Sequence, residues 1–208
     1  MIFITGSNGF LGSHLVKRLG DQTLSLLDRG SPKSSPKHRF LQAEINGISD
    51  YTTGLKGCNT VIHCAARVHI MDDSVDEPLE AYREVNTRGT SNLAKQAAEL
   101  GVKRFIFVSS IKVNGEKTES GKPFNNLDKH FPEDDYGVSK VEAEQQLFDI
   151  GKDAGMEIVV IRPTLVYGPG VKANFASLMC LVAKGVPLPF GCIRHNQRSL
   201  VSVENLVD

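Results

Sequence analysis

Short apolar runs recur along the chain and alternate with amphipathic stretches. The runs are IFIT, LSLLD, TVIHCAA, RFIFVSS and EIVVIRP. They are rich in Val, Ile and Phe and nearly unbroken, which is typical of parallel strands covered by helices on both faces. Strands that alternate with helical segments indicate βαβ units. The pattern therefore predicts an α/β fold built on a doubly wound parallel sheet.

The longest helical pattern runs from Leu79 to Leu100, with apolar residues recurring near a 3.6-residue period and Gly101 following as a C-cap. Two polar stretches, DRGSPKSSPKHR and NGEKTESGKPFNNLDKHFPEDD, show little periodicity and predict loops. A further helix is expected around Asn174 to Lys184. The last residues indicate the first turn of another helix.

Composition narrows the possible partners. The chain of 208 residues carries 24 Lys and Arg against 24 Asp and Glu, so its net charge favours neither nucleic acid nor an acidic membrane surface as a partner. No apolar run approaches the roughly 18 residues of a membrane-spanning helix. The four cysteines form no C-x-x-C pair and the six histidines no H-x-x-x-H pair, so no metal site is expected. We expect reduced thiols and a cytoplasmic location.

Three glycines, Gly6, Gly9 and Gly12, lie where the first apolar run turns into a helical pattern. Their spacing departs from the G-x-G-x-x-G dinucleotide motif, so by itself it fits a tight turn as well as a phosphate-binding loop. Asp28 ends the second run, where a carboxylate can accept hydrogen bonds from ribose hydroxyls. Arg29 follows and could meet a 2′-phosphate, so NAD is favoured and NADP stays open.

The stretch YGVSK places Tyr136 and Lys140 four residues apart, on one face of a helix. The ammonium group is expected to favour the ionised phenol and to lower its pKa from the usual value of about 10. Tyr136 could then act as a general acid or base. A lone Y-x-x-x-K also describes an ordinary surface helix, but here a strand ending in Ser109 and Ser110 precedes it and could supply a hydroxyl to the same substrate oxygen.

Taken together, these residues resemble the extended short-chain dehydrogenase/reductases, and among them the NAD-dependent nucleotide-sugar epimerases, dehydratases and reductases. The resemblance covers essentially the whole chain. It is carried, in the family's order, by TGSNGFLGSHL, VIHCAA, VNTRGT, FIFVSSIKVNG, YGVSK, RPTLVYGPG and RSLVSVENLVD. It implies a Rossmann-like NAD(P)-binding domain over residues 1–170 and the beginning of an incomplete C-terminal substrate domain over residues 171–208.

The resemblance also implies roles for individual residues. Tyr136 and Lys140 would be catalytic with Ser110 as their partner, and Asn86 would be structural, bonding backbone between strands. Glu44 stands where Asp is usual, beside the adenine, and Pro163 would lie near the nicotinamide. The implied cofactor-binding residues are Gly6, Gly9, Phe10, Leu11, Gly12, Asp28, Arg29, Glu44, Ile45, Ala65, Ala66, Tyr136, Lys140 and Pro163.

The substrate diphosphate would be held by Asn174 and Arg198, although Asn174 fits a helix N-cap equally well. Ile111 and Lys112 stand where dehydratases of the family carry an Asp-Glu pair, so elimination of water is not expected. The resemblance therefore implies a 4-epimerase that acts on a UDP-hexose or UDP-N-acetylhexosamine through a 4-keto intermediate.

Two alternatives to the epimerase remain open. Arg29 keeps open an NAD(P)H-dependent reductase of a UDP-4-keto-6-deoxy-hexosamine in surface-polysaccharide synthesis. A non-catalytic dinucleotide sensor belongs to a different class, and the retained Tyr136 and Lys140 argue against it.

The segments Leu79 to Leu100 and Tyr136 to Ala154 carry apolar residues beyond one stripe, and relatives pair such helices, so a homodimer is expected. Because relatives usually run well beyond this length, we expect the chain to bind the dinucleotide but to have little or no activity.

Overall fold

The computed structural model describes residues 1–33, 35–68, 77–171, 173–188 and 196–208, with only the backbone at 173 and 174. The strands are β1 (Ile2–Thr5), β2 (Leu24–Asp28), β3 (Arg39–Gln42), β4 (Thr60–His63), β5 (Arg104–Val108), β6 (Glu157–Ile161), β7 (Leu165–Tyr167) and β8 (Leu200–Ser202). The α-helices are α1 (Phe10–Arg18), α2 (Thr52–Leu55), α3 (Pro78–Tyr82), α4 (Thr90–Glu99), α5 (Asp135–Ala154), α6 (Ala173–Ala183) and α7 (Val203–Val207).

Six parallel strands form the main sheet in the order β3-β2-β1-β4-β5-β6. The chain moves outward from β1 through β2 to β3, and then outward on the other side from β4 to β6. The predicted doubly wound α/β fold is confirmed, and the strand order reverses between β1 and β4. In such sheets ligands bind beyond the carboxyl ends of the strands at this point of reversal.

The five apolar runs correspond to β1, β2, β4, β5 and β6. The sequence prediction missed β3, whose four residues directly follow a polar loop and form the sheet's edge. Its pattern is exposed at both ends and half-buried in the middle, so it lacks the unbroken apolar run of a central strand. The two stretches predicted as loops lie between β2 and β3 and before α5, as expected.

Helices cover both faces of the main sheet. On one face, buried residues of the strands pack against α2, α4 and α5, and on the other face against α1, with Val207 of α7 at its margin. Burying these apolar side chains stabilises the layers, at roughly 25 cal/mol per Å² of apolar surface removed from water. The first cluster includes Phe3, Val61, Leu93, Phe105, Phe107, Ala143 and Leu147, and the second is Ile4, Leu15, Leu24 and Leu26.

The long helix predicted from Leu79 to Leu100 contains a π-helical segment between α3 and α4, at Arg83–Gly89. The helix ends where Gly101 takes the left-handed conformation, with φ of 77°. A π-helical turn changes which side chains face the sheet, and such turns are common at functional sites. Sequence periodicity alone did not reveal it because the flanking α-helical turns keep the 3.6-residue pattern.

The C-terminal part of the chain forms a separate two-stranded parallel sheet of β7 and β8. It contacts α1 through His14, whose ring lies 2.9 Å from the Pro169 carbonyl oxygen, and through the ion pair of Arg18 with Asp208. The domain boundary at residue 170 stays a prediction, and the paired strands β7 and β8 lie on either side of it. In the described part of the chain, no helix has the length and apolar character needed to cross a membrane.

Candidate active site

The glycine loop follows β1 and touches the loop that follows β4. Gly6 has a φ of 66°, which favours glycine, and a Cβ there would lie 2.9 Å from the Ala65 nitrogen. A Cβ on Gly12 would lie 2.1 Å from the Gly6 carbonyl oxygen, so α1 packs directly on the loop. Gly9 donates its N–H to the same oxygen over 2.9 Å. The glycines therefore form a cradle that any side chain would fill.

Helix α1 begins at Phe10 with Gly9 as its N-cap, and no side chain caps it. The N–H groups of a first helical turn have no partner within the helix, and together with the helix dipole they favour an anion. Phe10 packs edge-on against His14 at a centroid distance of 5.5 Å. The loop and the start of α1 thus have the chemistry of a diphosphate-binding site.

Asp28 ties the end of β2 to the glycine loop. One carboxylate oxygen accepts the Asn8 backbone N–H and the other accepts the Gly30 backbone N–H, each over 3.0 Å. A carboxylate has about four lone-pair positions, so two remain for further donors such as ribose hydroxyls. Asp28 therefore both shapes the loop and keeps acceptor capacity.

A cleft of about 530 Å³ opens beyond the carboxyl ends of β1, β2 and β4. Eight of the predicted cofactor residues line it: Gly6, Gly9, Asp28, Arg29, Glu44, Ile45, Ala65 and Ala66. The sequence analysis did not identify the other lining residues, which are Asn8, Leu27, Ala43, Cys64, Arg67, Val68 and Val85. Several of these directly neighbour the motif residues, and adjacency to a motif was the only signal that could have found them.

Tyr136 and Lys140 lie in the first turns of α5. Asp134 caps this helix by accepting the Gly137 N–H over 2.7 Å. Lys140 is 1 % exposed, and its Nζ donates to the Val108 carbonyl oxygen over 3.0 Å. The same atom lies 5.8 Å from the centre of the Tyr136 ring. The four-residue spacing therefore places the two side chains next to each other, as predicted.

The expected lowering of the Tyr136 pKa by Lys140 is wrong for the chain as it stands. Burial of the phenol raises the pKa of Tyr136 to about 12, and Asp134 acts in the same direction while Lys112 opposes it. Burial also lowers the pKa of Lys140 to about 8. Both effects have one physical cause, since a poorly solvated site disfavours the charged form of either group. Near neutral pH Tyr136 is a proton donor in this structure.

The two serines at the end of β5 have different surroundings. Ser109 is buried and donates its hydroxyl to Glu144 over 2.5 Å. Ser110 is partly exposed, and its Oγ accepts the Lys112 N–H over 3.3 Å at the start of a 3-10 turn. The Ser109 hydroxyl already donates to Glu144, whereas the Ser110 hydroxyl can donate a hydrogen bond to another acceptor. The Ile111 N–H bonds to the Pro163 carbonyl oxygen over 3.0 Å, so Pro163 lies beside this segment.

Asn86 in the π-helical segment is 1 % exposed and holds the loop after β4, part of which lines the cleft. Its side chain accepts the Arg67 N–H and donates to the Arg67 carbonyl oxygen, over 2.9 and 3.0 Å. It also donates to the Ser139 hydroxyl of α5 over 3.0 Å. Asn86 does bond backbone, but it joins the loop after β4 to α5 instead of bonding between strands as expected.

His63 ends β4 and is buried between two threonines. Its Nδ1 lies 2.6 Å from the Thr5 hydroxyl and its Nε2 lies 2.9 Å from the Thr90 hydroxyl. Thr5 in turn accepts the Ala65 N–H over 3.1 Å. Burial lowers the pKa of His63 to about 3, so the ring is neutral. Through Thr5 it supports the loop that carries Ala65.

The substrate residues are less defined by the structure. Arg198 is exposed just before β8 and is not among the residues that line the cleft. The side chain of Asn174 lies outside what the structure describes. Among the described residues, no group of three or more His, Cys, Asp or Glu side chains is arranged to hold a metal ion.

Comparison with known proteins agrees with this geometry. The sequence model of the NAD dependent epimerase/dehydratase family matches residues 2–208. A UDP-glucose 4-epimerase of Vibrio cholerae is 59 % identical over the whole chain, which spans 64 % of that relative's length. An N-acetyl-alpha-D-glucosaminyl-diphospho-ditrans,octacis-undecaprenol 4-epimerase of Escherichia coli O157:H7 is 30 % identical over the whole chain, which spans 61 % of it. The solved structure of MoeE5 in complex with UDP-glucuronic acid and NAD superimposes with a TM-score of 0.83 at 27 % identity, covering 99 % of this chain and 69 % of MoeE5.

Proposed function

The chain belongs to the NAD dependent epimerase/dehydratase family, and on that basis we propose that it acts as an NAD-dependent 4-epimerase on a UDP-hexose or UDP-N-acetylhexosamine. The observation that carries the proposal is the single cleft lined by eight of the predicted cofactor residues, at the point of strand reversal. The name of the Vibrio relative supports the choice of epimerase over other reactions of the family.

The cleft fits a dinucleotide. The glycine cradle and the uncapped start of α1 suit a pyrophosphate, and the two remaining acceptor positions of Asp28 suit a ribose diol. A carboxylate at this place favours NAD, because it would repel the 2′-phosphate of NADP. Bound NAD would supply the acceptor, and later the donor, of a hydride.

The proton of the sugar 4-hydroxyl would be transferred by Tyr136, with Ser110 and Lys140 beside it. Tyr136 is protonated near neutral pH in the structure, so it would first have to lose its proton. As a phenolate it would then take the proton of the sugar 4-hydroxyl as the C4 hydride leaves, which would produce a 4-keto sugar. The Ser110 hydroxyl holds the same oxygen, and the ammonium group of Lys140 beside the ring stabilises the phenolate. After the keto sugar has rotated, return of the hydride to its other face, with the proton given back by Tyr136, would yield the 4-epimer. The sequence of steps leaves no net oxidation or reduction.

Replacing Tyr136 by Phe tests this assignment. The variant keeps the ring and removes the ionisable oxygen, so in an active form of the protein the interconversion of UDP-glucose and UDP-galactose should fall about 10²- to 10⁴-fold while NAD binding persists. Tyr167→Phe, on β7, is the matched control and should change neither quantity. Undiminished turnover in Tyr136→Phe would remove this residue from the mechanism.

A 4-keto reductase is the second candidate, because Arg29 lines the cleft directly beside Asp28. It would consume NADPH in stoichiometric amounts with a UDP-4-keto-6-deoxy-hexosamine, whereas the epimerase consumes none. A dinucleotide sensor would bind NAD and show neither reaction. Measuring NADPH consumption and sugar interconversion on the same preparation separates the three functions.

The sugar nucleotide would contact Asn174 and Arg198 besides the Ser110-Tyr136-Lys140 set. Holding a substrate in a reactive orientation accounts for about 7 to 11 kcal/mol of barrier lowering in well-ordered sites. Because few residues of this chain are matched to the sugar nucleotide, we propose that the 208-residue chain binds NAD and turns over UDP-sugars slowly, if at all.

The assembly and the location are part of the same proposal. We propose a homodimer through α4 and α5, supported by the exposed apolar side chains of Leu100 and Phe148 at these helices. Light scattering tests this, and a clean monomer at micromolar concentration would contradict it. A cytoplasmic location is proposed from the cysteines within the described residues, Cys58, Cys64 and Cys180, which are unpaired there, since thiols stay reduced in the cytoplasm.

A further inference from the structure

Helix α5 carries a third residue in register with Tyr136 and Lys140. Glu144 follows Lys140 by four residues, so the three side chains lie along one face of the helix. Glu144 is fully buried. A buried carboxylate is costly unless it is paired and hydrogen-bonded, so its partners are informative.

The partners of Glu144 come from two neighbouring strand ends. Ser109, at the end of β5, donates its hydroxyl over 2.5 Å. Arg162, directly after β6, donates from Nε over 3.1 Å and from Nη2 over 2.6 Å in a two-point contact. Ser109 precedes Ser110, and Arg162 precedes Pro163. One carboxylate therefore holds the strand ends that carry two predicted site residues against the helix that carries Tyr136.

The guanidinium of Arg162 extends the connection to the segment between Ser110 and Tyr136. Its Nη1 donates to the Asn114 side-chain oxygen over 3.2 Å, and its Nη2 lies 2.7 Å from Nε2 of His130. From Asn114 to His130 the chain has no helix or strand of its own. Side-chain contacts, together with a few backbone bonds, must therefore fix its path.

From these contacts we infer that Glu144 and Arg162 are positioning residues, which hold the Ser110 segment and the Tyr136 helix in one relative geometry. The inference rests on the proposed function, in which these two hydroxyls share a substrate oxygen. Glu144 and Arg162 act through their neighbours and do not themselves touch substrate. A charged pair suits this task because bidentate contacts fix orientation as well as distance.

The test compares two Glu→Gln variants of the 208-residue chain. Glu144→Gln keeps the shape of the side chain and removes its charge. Glu157→Gln does the same for the exposed pair of Arg104 with Glu157, which lie 2.7 Å apart. This pair joins the amino-terminal ends of β5 and β6, at the edge of the sheet away from the site. Both proteins carry 3-fluorotyrosine at the four tyrosines, and the fluorine resonance of Tyr136 is identified by its loss in Tyr136→Phe.

Spectra are recorded at a temperature at which circular dichroism shows each variant folded. We expect the Tyr136 resonance to shift or split in Glu144→Gln while the resonance of the core residue Tyr51 stays in place, and we expect no change in Glu157→Gln. A folded Glu144→Gln protein with the parental Tyr136 resonance would overturn the inference, because a purely structural role lowers stability without moving that line. Should Glu144→Gln not fold, His130→Ala, at the half-exposed rim of the network, must move the same resonance.

Turnover gives a second readout. Where the parent interconverts UDP-sugars, Glu144→Gln should lower kcat about 10²-fold, as expected for a misplacement of about 1 Å, with the Kd for NAD changed less than about twofold. Unchanged kcat would count against the inference. If the 208-residue parent shows no turnover, which the proposed function allows, the fluorine spectra decide the positioning role. A folded parent that binds no NAD would count against the proposed function instead.

Discussion

The loops along the two halves of the sheet's carboxyl edge are held in place by different kinds of contact. At β1, β2 and β4 the loops are held by close packing of glycines and by backbone N–H groups, which bond to the uncharged side chains of Thr5 and Asn86 and to the carboxylate of Asp28. At β5 and β6 they are held by charged side chains, above all the buried Glu144 with the partly buried Arg162. Backbone contacts leave room for a cofactor to approach, whereas charged side chains hold the segments that carry the proposed catalytic groups.

This difference predicts how each half responds to substitution. We call the loops at β1, β2 and β4 the cofactor half and those at β5 and β6 the catalytic half, after their proposed roles. The cofactor half should be destabilised by added atoms and should depend less on charge. The catalytic half should tolerate small changes of volume but respond strongly to the loss of a charge. The substitutions below test the cofactor half, and the glutamate variants described above test the catalytic half.

The largest effect is expected for Gly12→Ala. The added Cβ would lie 2.1 Å from the Gly6 carbonyl oxygen, and no flexible side chain can move away to make room. We expect the free energy of unfolding to fall by more than about 4 kcal/mol, or the chain not to fold, as measured by urea denaturation. Gly47→Ala, with its nearest neighbour 3.5 Å away, is the control and should stay within about 1 kcal/mol of the parent. Equal stabilities of the two variants would contradict the close packing of α1 on the loop.

A smaller effect is expected for Asp28→Ala. The substitution removes the acceptor of two backbone N–H groups, and hydrogen bonds to a charged group contribute about 1.5 to 3 kcal/mol each. The Kd for NAD should therefore rise at least about tenfold by calorimetry. Asp50→Ala removes a similar backbone contact, to the Thr52 N–H over 2.8 Å, and should leave NAD binding unchanged. Unaltered affinity in Asp28→Ala would place the ribose elsewhere.

A third effect concerns acid sensitivity. Burial lowers the pKa of His63 to about 3, so between pH 6.5 and 3 the unfolded chain holds a proton that the folded chain does not. The free energy of unfolding should therefore fall as the pH is lowered through this range, by about 1.4 kcal/mol per pH unit from this group. Urea denaturation at pH 7 and pH 5 should show a loss of about 2 kcal/mol. His63→Gln should lose less between these values, while His14→Gln should match the parent. Equal losses in the parent and His63→Gln would show that His63 is not the acid-sensitive group.

The two halves also differ in how far the sequence predicted them. The glycine loop, Asp28 and the spacing of Tyr136 and Lys140 are local patterns, so the sequence predicted their place in the fold. The pairing of Glu144 with Arg162 joins residues that are distant in sequence and carries no local signature. The predicted direction of the Tyr136 pKa shift was also wrong, because the spacing reveals that Lys140 is near but not how deeply the phenol is buried.

Secondary structure shows the same limit. Strands β1, β2, β4, β5 and β6 were predicted because each contains a nearly unbroken apolar run, the pattern expected of parallel strands covered by helices. The edge strand β3 and the π-helical segment Arg83–Gly89 were missed, since neither leaves a distinct hydrophobic period. The roles of all the predicted site residues, Tyr136 and Lys140 included, stay predictions, because their chemistry depends on what they would bind.

Calorimetry of the 208-residue chain with NAD, and separately with UDP-glucose, tests the central claim most directly. The cofactor half is made of contacts within this chain, from the Gly6–Gly12 cradle to Asp28. We therefore predict saturable NAD binding at one site per chain and much weaker binding of UDP-glucose. The absence of NAD binding by a folded chain would contradict the account, and so would UDP-glucose binding that is tighter than NAD binding.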